Sequence, residues 1–453
     1  MYFKKIETKG LAHYSYLIGD GSDLAVIDPM RDVHVYMREA RNEGMRIRHI
    51  FETHRNEDFI SGSVELAAKT GATIYASGHE DLGRTYGEDI RDGFRLDIGK
   101  ISIRAIHTPG HTLGHMSYAV HEEGQQEAYL VFTGDSLFMG DVGRTDFYGE
   151  DNLLKMTELQ YDSVFGKLFA LGDHVVVCPA HGAGSACGES MDERPYSTIG
   201  YERAANKRLQ FDTKEAFVDS FARMRIKPQY FEVMEVLNVT GADFVGDDVV
   251  LGALTADEVA EMKEDVLVLD VRVKEGFIGG HIPGSIFLHK DNLTSFLGAL
   301  YPTDVKMAFV IDGKAGEMEE IYWSCRRIGF DNILGYLPEG IEKWQEKGHE
   351  VDRLETISAK GYMDMPKDGG FTLLDIRDSY EVEPEDPDDN RIHIPLKALH
   401  EGLGRLDREK KIYVLCSSGN RATTAAAYLK TKGYDAVVIT GGAKMFRNLV
   451  KGE

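Results

Sequence analysis

Five residues that can hold a metal or a proton stand where strand-like runs end: Asp28, His54, His111, Asp135 and His181. The runs include LAVIDP, RHIFETH, ISIRAIHTPGHT, AYLVFTGD and HVVVCPAHG, each a β-rich stretch closing on a polar or glycine-containing turn. Helical patterns such as SVELAAKTG and LLKMTELQYDSVFGKLFAL lie between them, which predicts a layered α/β domain over residues 1 to about 185. In such layers the sheet stays rigid while loops at strand ends converge, so a shared site is expected there.

The chain has 453 residues, too many for one core; at roughly 150 residues per domain, three are expected. Residues 186 to about 250 read as a helical and irregular connector that includes TKEAFVDSFARM, and Thr255-Ala-Asp-Glu258 fits a capping box that opens a new helix. From there a strand and helix order runs to about 350 and recurs from 355 to 453, so the C-terminal half is an approximate tandem repeat. The predicted domains are 1–250, 251–352 and 353–453. The acidic EVEPEDPDD (381–389) reads as a solvated loop.

A net charge of −23 argues against nucleic acid and anionic membranes as partners. No run approaches the ~18 apolar residues of a membrane span, and the first residues lack the apolar core of a signal peptide. Four cysteines without a CxxC pair do not make a disulfide framework, so a reducing cytoplasm is expected.

Together, THRNEDF (53–59), TPGHTLGH (108–115), FTGDS (132–136) and PAHG (179–182) resemble the metallo-β-lactamase superfamily. The resemblance implies an αββα sandwich over the N-terminal part. In the glyoxalase-II-like hydrolases of that superfamily the first motif is T-H-x-H-x-D-H, and two metals share a hydroxide. Here Asn56 takes the second histidine position and Phe59 the last. Phe cannot ligate, and an Asn amide is a poor ligand. The first metal position keeps His54, His111 and Asp135, while the second keeps only Asp58 and His181. Two histidines and a carboxylate with open positions are the donor set of non-haem Fe(II) oxygenases, and in the persulfide dioxygenases of this superfamily these three positions hold the iron. Asp58 and His181 are expected to orient ligands or water, and His115 to do the same or to serve packing. His79, His107 and His121 read as ordinary histidines. MGDVGRTDF (139–147) resembles the segment that, in those dioxygenases, follows the metal-binding Asp, so Arg144 is a candidate anchor for a substrate carboxylate, with an ordinary salt bridge as the alternative. Cys187 is expected to be a buried structural cysteine rather than a redox thiol.

In the second repeat, VLCSSGNRATTAAAYL ends a strand at Cys416, passes through the loop C-S-S-G-N-R and enters a helix. Successive N–H groups of such a loop, with the helix N-terminus, cradle an anion. They favour a thiolate on Cys416 and would hold the outer sulfur of a persulfide. The segment resembles the rhodanese active loop. That assigns Cys416 and Arg421 to catalysis and Ser417, Ser418, Gly419 and Asn420 to substrate binding, with Asp375, Arg377 and Gly441-Gly442 fitting the same frame. In the first repeat DVRVKEGFIGGHIPGS (270–285) matches the family, but VIDGKAGEM puts Asp312 where the nucleophile belongs. That copy is expected to be a scaffold without sulfur transfer, and Cys325 in the following helix does not replace the thiol. The second copy lacks the GHIPGA stretch and carries RIHIPL instead.

The order of parts resembles the persulfide dioxygenase–rhodanese fusion proteins of bacterial sulfide detoxification. The resemblance implies one Fe(II) per chain on His54, His111 and Asp135, with a low-molecular-weight thiol persulfide, O2 and sulfite as partners. It also implies oxidation of the persulfide to sulfite and sulfur transfer through Cys416 to give thiosulfate. Two other readings compete: a zinc thioester or lactone hydrolase, and a metal-free sulfur carrier. A homo-oligomer is a modest expectation.

Overall fold

The computed structural model describes all residues except 247–250, 263, 314, 367–368, 385, 388–389 and 452–453. The expected boundary at 250 falls outside the described residues, as does part of the 381–389 loop. The chain divides into two compact units: 1–225 with 231–247 and 327–329, and 226–230 with 248–326 and 330–453.

In the first unit, β1 (Tyr2–Thr8), β2 (His13–Asp20), β3 (Asp23–Ile27), β4 (Arg46–Phe51), β5 (Thr73–Ser77) and β6 (Glu88–Ile90) form one sheet in chain order. A second sheet runs β7 (Arg95–Ile98), β8 (Ile101–His107), β9 (Met116–Glu122), β10 (Ala128–Gly134), β11 (Val176–Pro179) and β12 (Ser197–Thr198). Side chains alternate across a strand, and both faces of the second sheet are covered. From β9 and β10, Tyr118, Val120, Leu130 and Phe132 meet Tyr16, Ile18, Ile27 and Phe51 of the first sheet in a shared core. Ala119 and Val131 point the other way, onto Val164, Leu168 and Phe217 of the covering helices. Helices His34–Asn42 and Ser63–Thr70 pack on β4. The result is the expected αββα sandwich.

The stretch expected to be a connector is part of that core. Its helix Lys214–Phe221 buries Phe217, Val218 and Phe221, and a fully buried Phe contributes roughly 1.5–3 kcal/mol. The apolar residues of TKEAFVDSFARM were visible in sequence, but the surface they face was not.

In the second unit, β13 (Leu267–Asp270), β14 (Ile286–Phe287), β15 (Met307–Val310) and β16 (Ile333–Leu337) form a parallel sheet of order β14-β13-β15-β16. Next come β17 (Glu355–Ser358), β18 (Phe371–Asp375), β19 (Arg391–His393), β20 (Lys411–Leu415) and β21 (Ala436–Thr440), in order β17-β21-β20-β18-β19. The same strand order recurs with β17 added at one edge, which is the tandem repeat in three dimensions. The segment RIHIPL supplies strand β19. The capping box forms as the spacing predicts: Thr255 N donates to Glu258 Oε2 at 2.7 Å, and Glu258 N to Thr255 Oγ1 at 3.2 Å. Equivalent strands end in equivalent buried ion pairs, Asp270 with Arg272 at 2.7 Å and Asp375 with Arg377 at 2.6 Å. Among the described residues, no helix is long and apolar enough to cross a membrane.

Candidate metal centre and sulfur-transfer loop

His54 follows β4, His111 the loop after β8, Asp135 the end of β10 and His181 the end of β11. All four are buried, at 4% exposure or less. His54 Nε2 and His111 Nε2 lie 4.0 and 3.5 Å from Asp135 Oδ2. None of these three atoms has a hydrogen-bond partner. Buried polar atoms are rarely left unpaired, so three orphans aimed at one point ask for a ligand.

The local bonds fix which atoms face that point. Asp28 adopts a positive φ of 47°, which Asp tolerates better than most residues. It accepts from Thr53 N at 2.7 Å and from the Thr53 hydroxyl at 2.8 Å. With its proton given to Asp28, Thr53 Oγ1 is left to accept from His54 Nδ1 at 2.9 Å. His111 Nδ1 can only donate to the Arg144 carbonyl, at 2.9 Å. With Nδ1 of each ring so engaged, Nε2 is the atom each imidazole turns to that point, the one a metal would take.

Charge follows the same geometry. Burial drives the His54 imidazole well below its ordinary range. His111 feels the same burial, but Glu57 and Asp135 outweigh it and hold it above that range. Burial pushes Asp135 up, yet His181 hydrogen-bonded to it pulls the carboxyl well below the usual range. Burial likewise pushes Asp28 up to about 7. The donor set, two imidazoles and a carboxylate, fits a divalent cation.

Asp58, His115 and His181, the residues expected to support the centre, lie against its donors or each other. His181 donates Nδ1 to Asp135 Oδ1 at 2.7 Å, and its Nε2 lies 3.1 Å from Asp58 Oδ2, so one imidazole spans two carboxylates. His115 accepts from Asp135 N at 3.0 Å and contacts Thr108 Oγ1 at 2.8 Å. Burial holds it down to about 3, keeping that acceptor free. At Gly143 an added Cβ would stand 1.9 Å from Asp135 O and 3.0 Å from His111 Nδ1, so only glycine lets the strand ends approach. At the motif's last histidine position the side chain is carbon: Phe59 is fully buried, its ring centroid 4.2 Å from that of His13, while Asp58, His181 and Cys187 still bring ligand atoms within 4.8 Å of one another. Asn56 Nδ2 turns to the His54 carbonyl at 3.5 Å.

Arg144 is 3% exposed and grips Asp146 with two bonds of 2.7 Å. Cys187 is buried and free, yet its sulfur lies within 4.8 Å of ligand atoms of both His111 with Asp135 and Asp58 with His181. Burial, then Asp135, pushes its thiol well up.

Two residues escaped sequence reasoning. Glu57, fully buried, puts Oε2 3.4 Å from His111 Nε2 and 3.7 Å from His54 Nε2. Asn238 donates to the carbonyls of Asn56 and Phe59 at 2.7 Å each and accepts from Ser61 N at 2.8 Å, pinning the metal-motif loop. Asn238→Ala leaves those buried groups unpaired, so it is expected to cost about 2–3 kcal/mol. Metal affinity should fall with it. Denaturant unfolding and metal titration check this, and unchanged values in both would refute the pinning role.

In the second unit Cys416 follows β20 and precedes the helix Asn420–Thr431. Its sulfur accepts from Gly419 N at 3.0 Å and Ala422 N at 3.4 Å, the expected cradle. Gly442 has φ +58°, and a Cβ there would meet Cys416 O at 2.3 Å, so the second helix start needs glycine to close on the loop. Ala443 N then donates to Cys416 O at 2.8 Å. Arg421 gives two 2.6 Å bonds to Glu381, which also accepts from Ser417 Oγ at 2.7 Å. Ser418 offers its carbonyl 3.4 Å from Lys274 Nζ of the first repeat. The Asn420 carbonyl accepts from Thr424 Oγ1, also at 3.4 Å. In the first repeat the strand register corrects the expected alignment: Asp270 pairs with Val310 as Asp375 pairs with Leu415, so buried Ile311 stands at the place of Cys416 and exposed Asp312 one residue further on. Cys325 is buried in the helix Ala315–Arg327, its thiol raised by burial.

Glu381 also predicts a pH dependence. Burial raises it, but Arg421 and Ser417 outweigh burial and hold its carboxyl at about 2, against an ordinary 4.5. A carboxyl lowered by folding stabilises above the ordinary value, and that contribution is lost as pH falls through the folded one. Melting of the second unit is thus expected to weaken from pH 4.5 towards 2. Glu381→Gln should flatten that window; identical acid profiles would rule out the role.

Comparison with known proteins agrees with this architecture. The metallo-beta-lactamase superfamily model matches residues 8–181, and the rhodanese-like domain model matches 255–347 and 358–449. The chain is similar to hydroxyacylglutathione hydrolase GloC of Haemophilus influenzae, 26% identical over 42% of this chain and 90% of that one. It is 28% identical to persulfide dioxygenase ETHE1 of Bos taurus, over 48% of this chain and 80% of the relative. A crystal structure of a metallo-beta-lactamase from Staphylococcus aureus superposes with a TM-score of 0.67 at 30% identity, over 75% of this chain and 99% of that one. The chain belongs to the metallo-β-lactamase superfamily and carries two rhodanese-like domains after that fold.

Proposed function

We propose that the protein is a non-haem Fe(II) persulfide dioxygenase joined to a rhodanese-type sulfurtransferase. The observation that carries this is the convergence of unpaired His54 Nε2, His111 Nε2 and Asp135 Oδ2, beside a second metal position that has Phe59 where the motif's last histidine would stand. A two-metal hydrolase needs both positions, whereas an oxygenase needs only two histidines, one carboxylate and open positions. The likeness to persulfide dioxygenase ETHE1 supports the same choice.

Bound iron would supply a redox-active centre with room for the outer sulfur of the persulfide and for O2. The reaction R–S–SH + O2 + H2O → R–SH + SO3²⁻ + 2 H⁺ balances, with the outer sulfur losing the four electrons that O2 takes. His54 and His111 present bare nitrogens to the cation. His181, spanning Asp58 and Asp135, fixes which Asp135 oxygen faces inward, and His115 holds that residue's backbone. Arg144 already holds Asp146, so its part is to orient His111 through its carbonyl; a carrier carboxylate would have to compete for the guanidinium.

At the second centre the Cys416 thiolate attacks the outer sulfur of a donor persulfide, and the donor leaves as its thiol. Sulfite then takes that sulfur, giving thiosulfate and restoring the thiolate. The N–H groups of Gly419 and Ala422 hold the thiolate charge, while Arg421 and Ser417, tied to Glu381, keep the loop in shape. One centre thus makes the acceptor that the other uses.

A zinc thioester hydrolase is the second reading, favoured by the likeness to hydroxyacylglutathione hydrolase GloC. Metal analysis of the purified protein separates the two. Iron near one per chain supports the dioxygenase. Zinc with O2-independent thioester cleavage supports the hydrolase, and a metal-free protein leaves only a sulfur carrier built on Cys416.

A further inference from the structure

We infer that Glu57 is a fourth protein ligand of the cation held by His54, His111 and Asp135, replacing the imidazole lost at Asn56. The inference rests on the metal centre proposed above and adds a donor to it.

Glu57 is 0% exposed, and neither carboxylate oxygen has a hydrogen-bond partner. Its Oε2 stands 3.4 Å from His111 Nε2 and 3.7 Å from His54 Nε2. Asp135 Oδ2 stands 3.5 and 4.0 Å from the same two nitrogens. Ligands about 2.1 Å from one small cation are separated by roughly 3.0–3.5 Å, so both carboxylates sit near coordination range on one histidine pair. No hydrogen bond accounts for the contact: Glu57 Oε2 and His111 Nε2, 3.4 Å apart, are both without a hydrogen-bond partner. Arg55 stands near enough to act on the Glu57 charge, but its guanidinium faces Glu235 at 3.8 Å and makes no hydrogen bond to Glu57. Burying an unpaired carboxylate is costly, and a metal removes that cost.

The donor also has a chemical consequence. Two carboxylates cancel the charge of a dication, so the buried site becomes neutral overall. Four protein ligands on an octahedral metal leave two positions, as many as one sulfur and one O2 require. On tetrahedral zinc the same four donors would close the shell, as in structural zinc sites.

The test uses the full chain, stripped of metal and titrated with Fe(II) anaerobically against a competing chelator. Wild type, Glu57→Gln and Glu57→Asp are compared, and Co(II) absorption serves as a second readout of the donor set. Glu57→Gln is expected to weaken Fe(II) binding at least ~10-fold, the loss usual for a mere supporting residue, and to change the Co(II) spectrum. Glu57→Asp should recover part of both. Equal affinity with an unchanged Co(II) spectrum would overturn the inference, even if O2 uptake fell, because Glu57 would then act on protons rather than metal. Failure of wild type to bind any metal would overturn the metal-centre reading along with it. Circular dichroism of the metal-free proteins guards against misfolding; if Glu57→Gln does not fold, Glu57→Asp carries the comparison through its own affinity and spectrum.

Discussion

Cys416→Ser is expected to lower sulfur transfer from persulfide to sulfite by at least ~10³-fold, because a hydroxyl in that loop cannot carry sulfane sulfur. O2 uptake by the iron-loaded protein should stay near wild type. Cys416 lies in the second unit, and its own bonds run to Gly419 and Ala422. Thiosulfate formation and O2 consumption, followed in one preparation, check the split. Loss of both activities would refute the division of labour between a sandwich that oxidises and a loop that transfers. The first repeat gives the matching negative expectation: with buried Ile311 at the place of Cys416 and Asp312 beside it, Asp312→Ala should leave sulfur transfer intact.

His111→Ala is the second change of large effect, and it acts on the other centre. It removes one of two bare nitrogens and leaves Asp135 Oδ2 and Glu57 facing an empty volume. Iron content is expected to fall below a tenth of wild type by a loss of ~100-fold or more in affinity, since even residues behind a ligand cost 10–100-fold. O2 uptake should vanish with the iron, while sulfur transfer through Cys416 continues. Metal analysis and O2 uptake measure the two losses. Retention of iron and O2 uptake by His111→Ala would show that the cation sits elsewhere.

The parts of the site visible in sequence are those fixed by local chemistry. His54, His111 and Asp135 stand in short motifs that each close a strand, and β4, β8 and β10 deliver them to one place. Phe59 was legible as a lost ligand because its ring has no donor atom. Cys416 was legible because a strand, a six-residue loop and a helix follow one another without a break. The residues that were not legible depend on direction or distance. Glu57 occupies a motif slot that admits any residue, and nothing in the spacing says that its side chain turns inward. Asn238 lies 182 positions from Asn56, whose carbonyl it holds. Cys187 was expected to be a buried cysteine and is buried, but its closeness to His111, Asp135, Asp58 and His181 depends on how the loop after β11 folds back. At the level of fold, strands with mixed or polar composition were the hard ones. β1 reads YFKKIET, and its pairing with β2 comes from the sheet rather than from its own pattern.

One iron on His54, His111 and Asp135 is expected to oxidise a persulfide with O2. The most direct measurement is O2 consumption by the iron-reconstituted full chain supplied with glutathione persulfide, with sulfite and thiosulfate assayed together. One O2 should be taken up for each sulfur oxidised, with no uptake by the zinc form and sulfite in place of thiosulfate when Cys416 is replaced by Ser. Iron-loaded protein that consumes no O2 with any low-molecular-weight persulfide would contradict it.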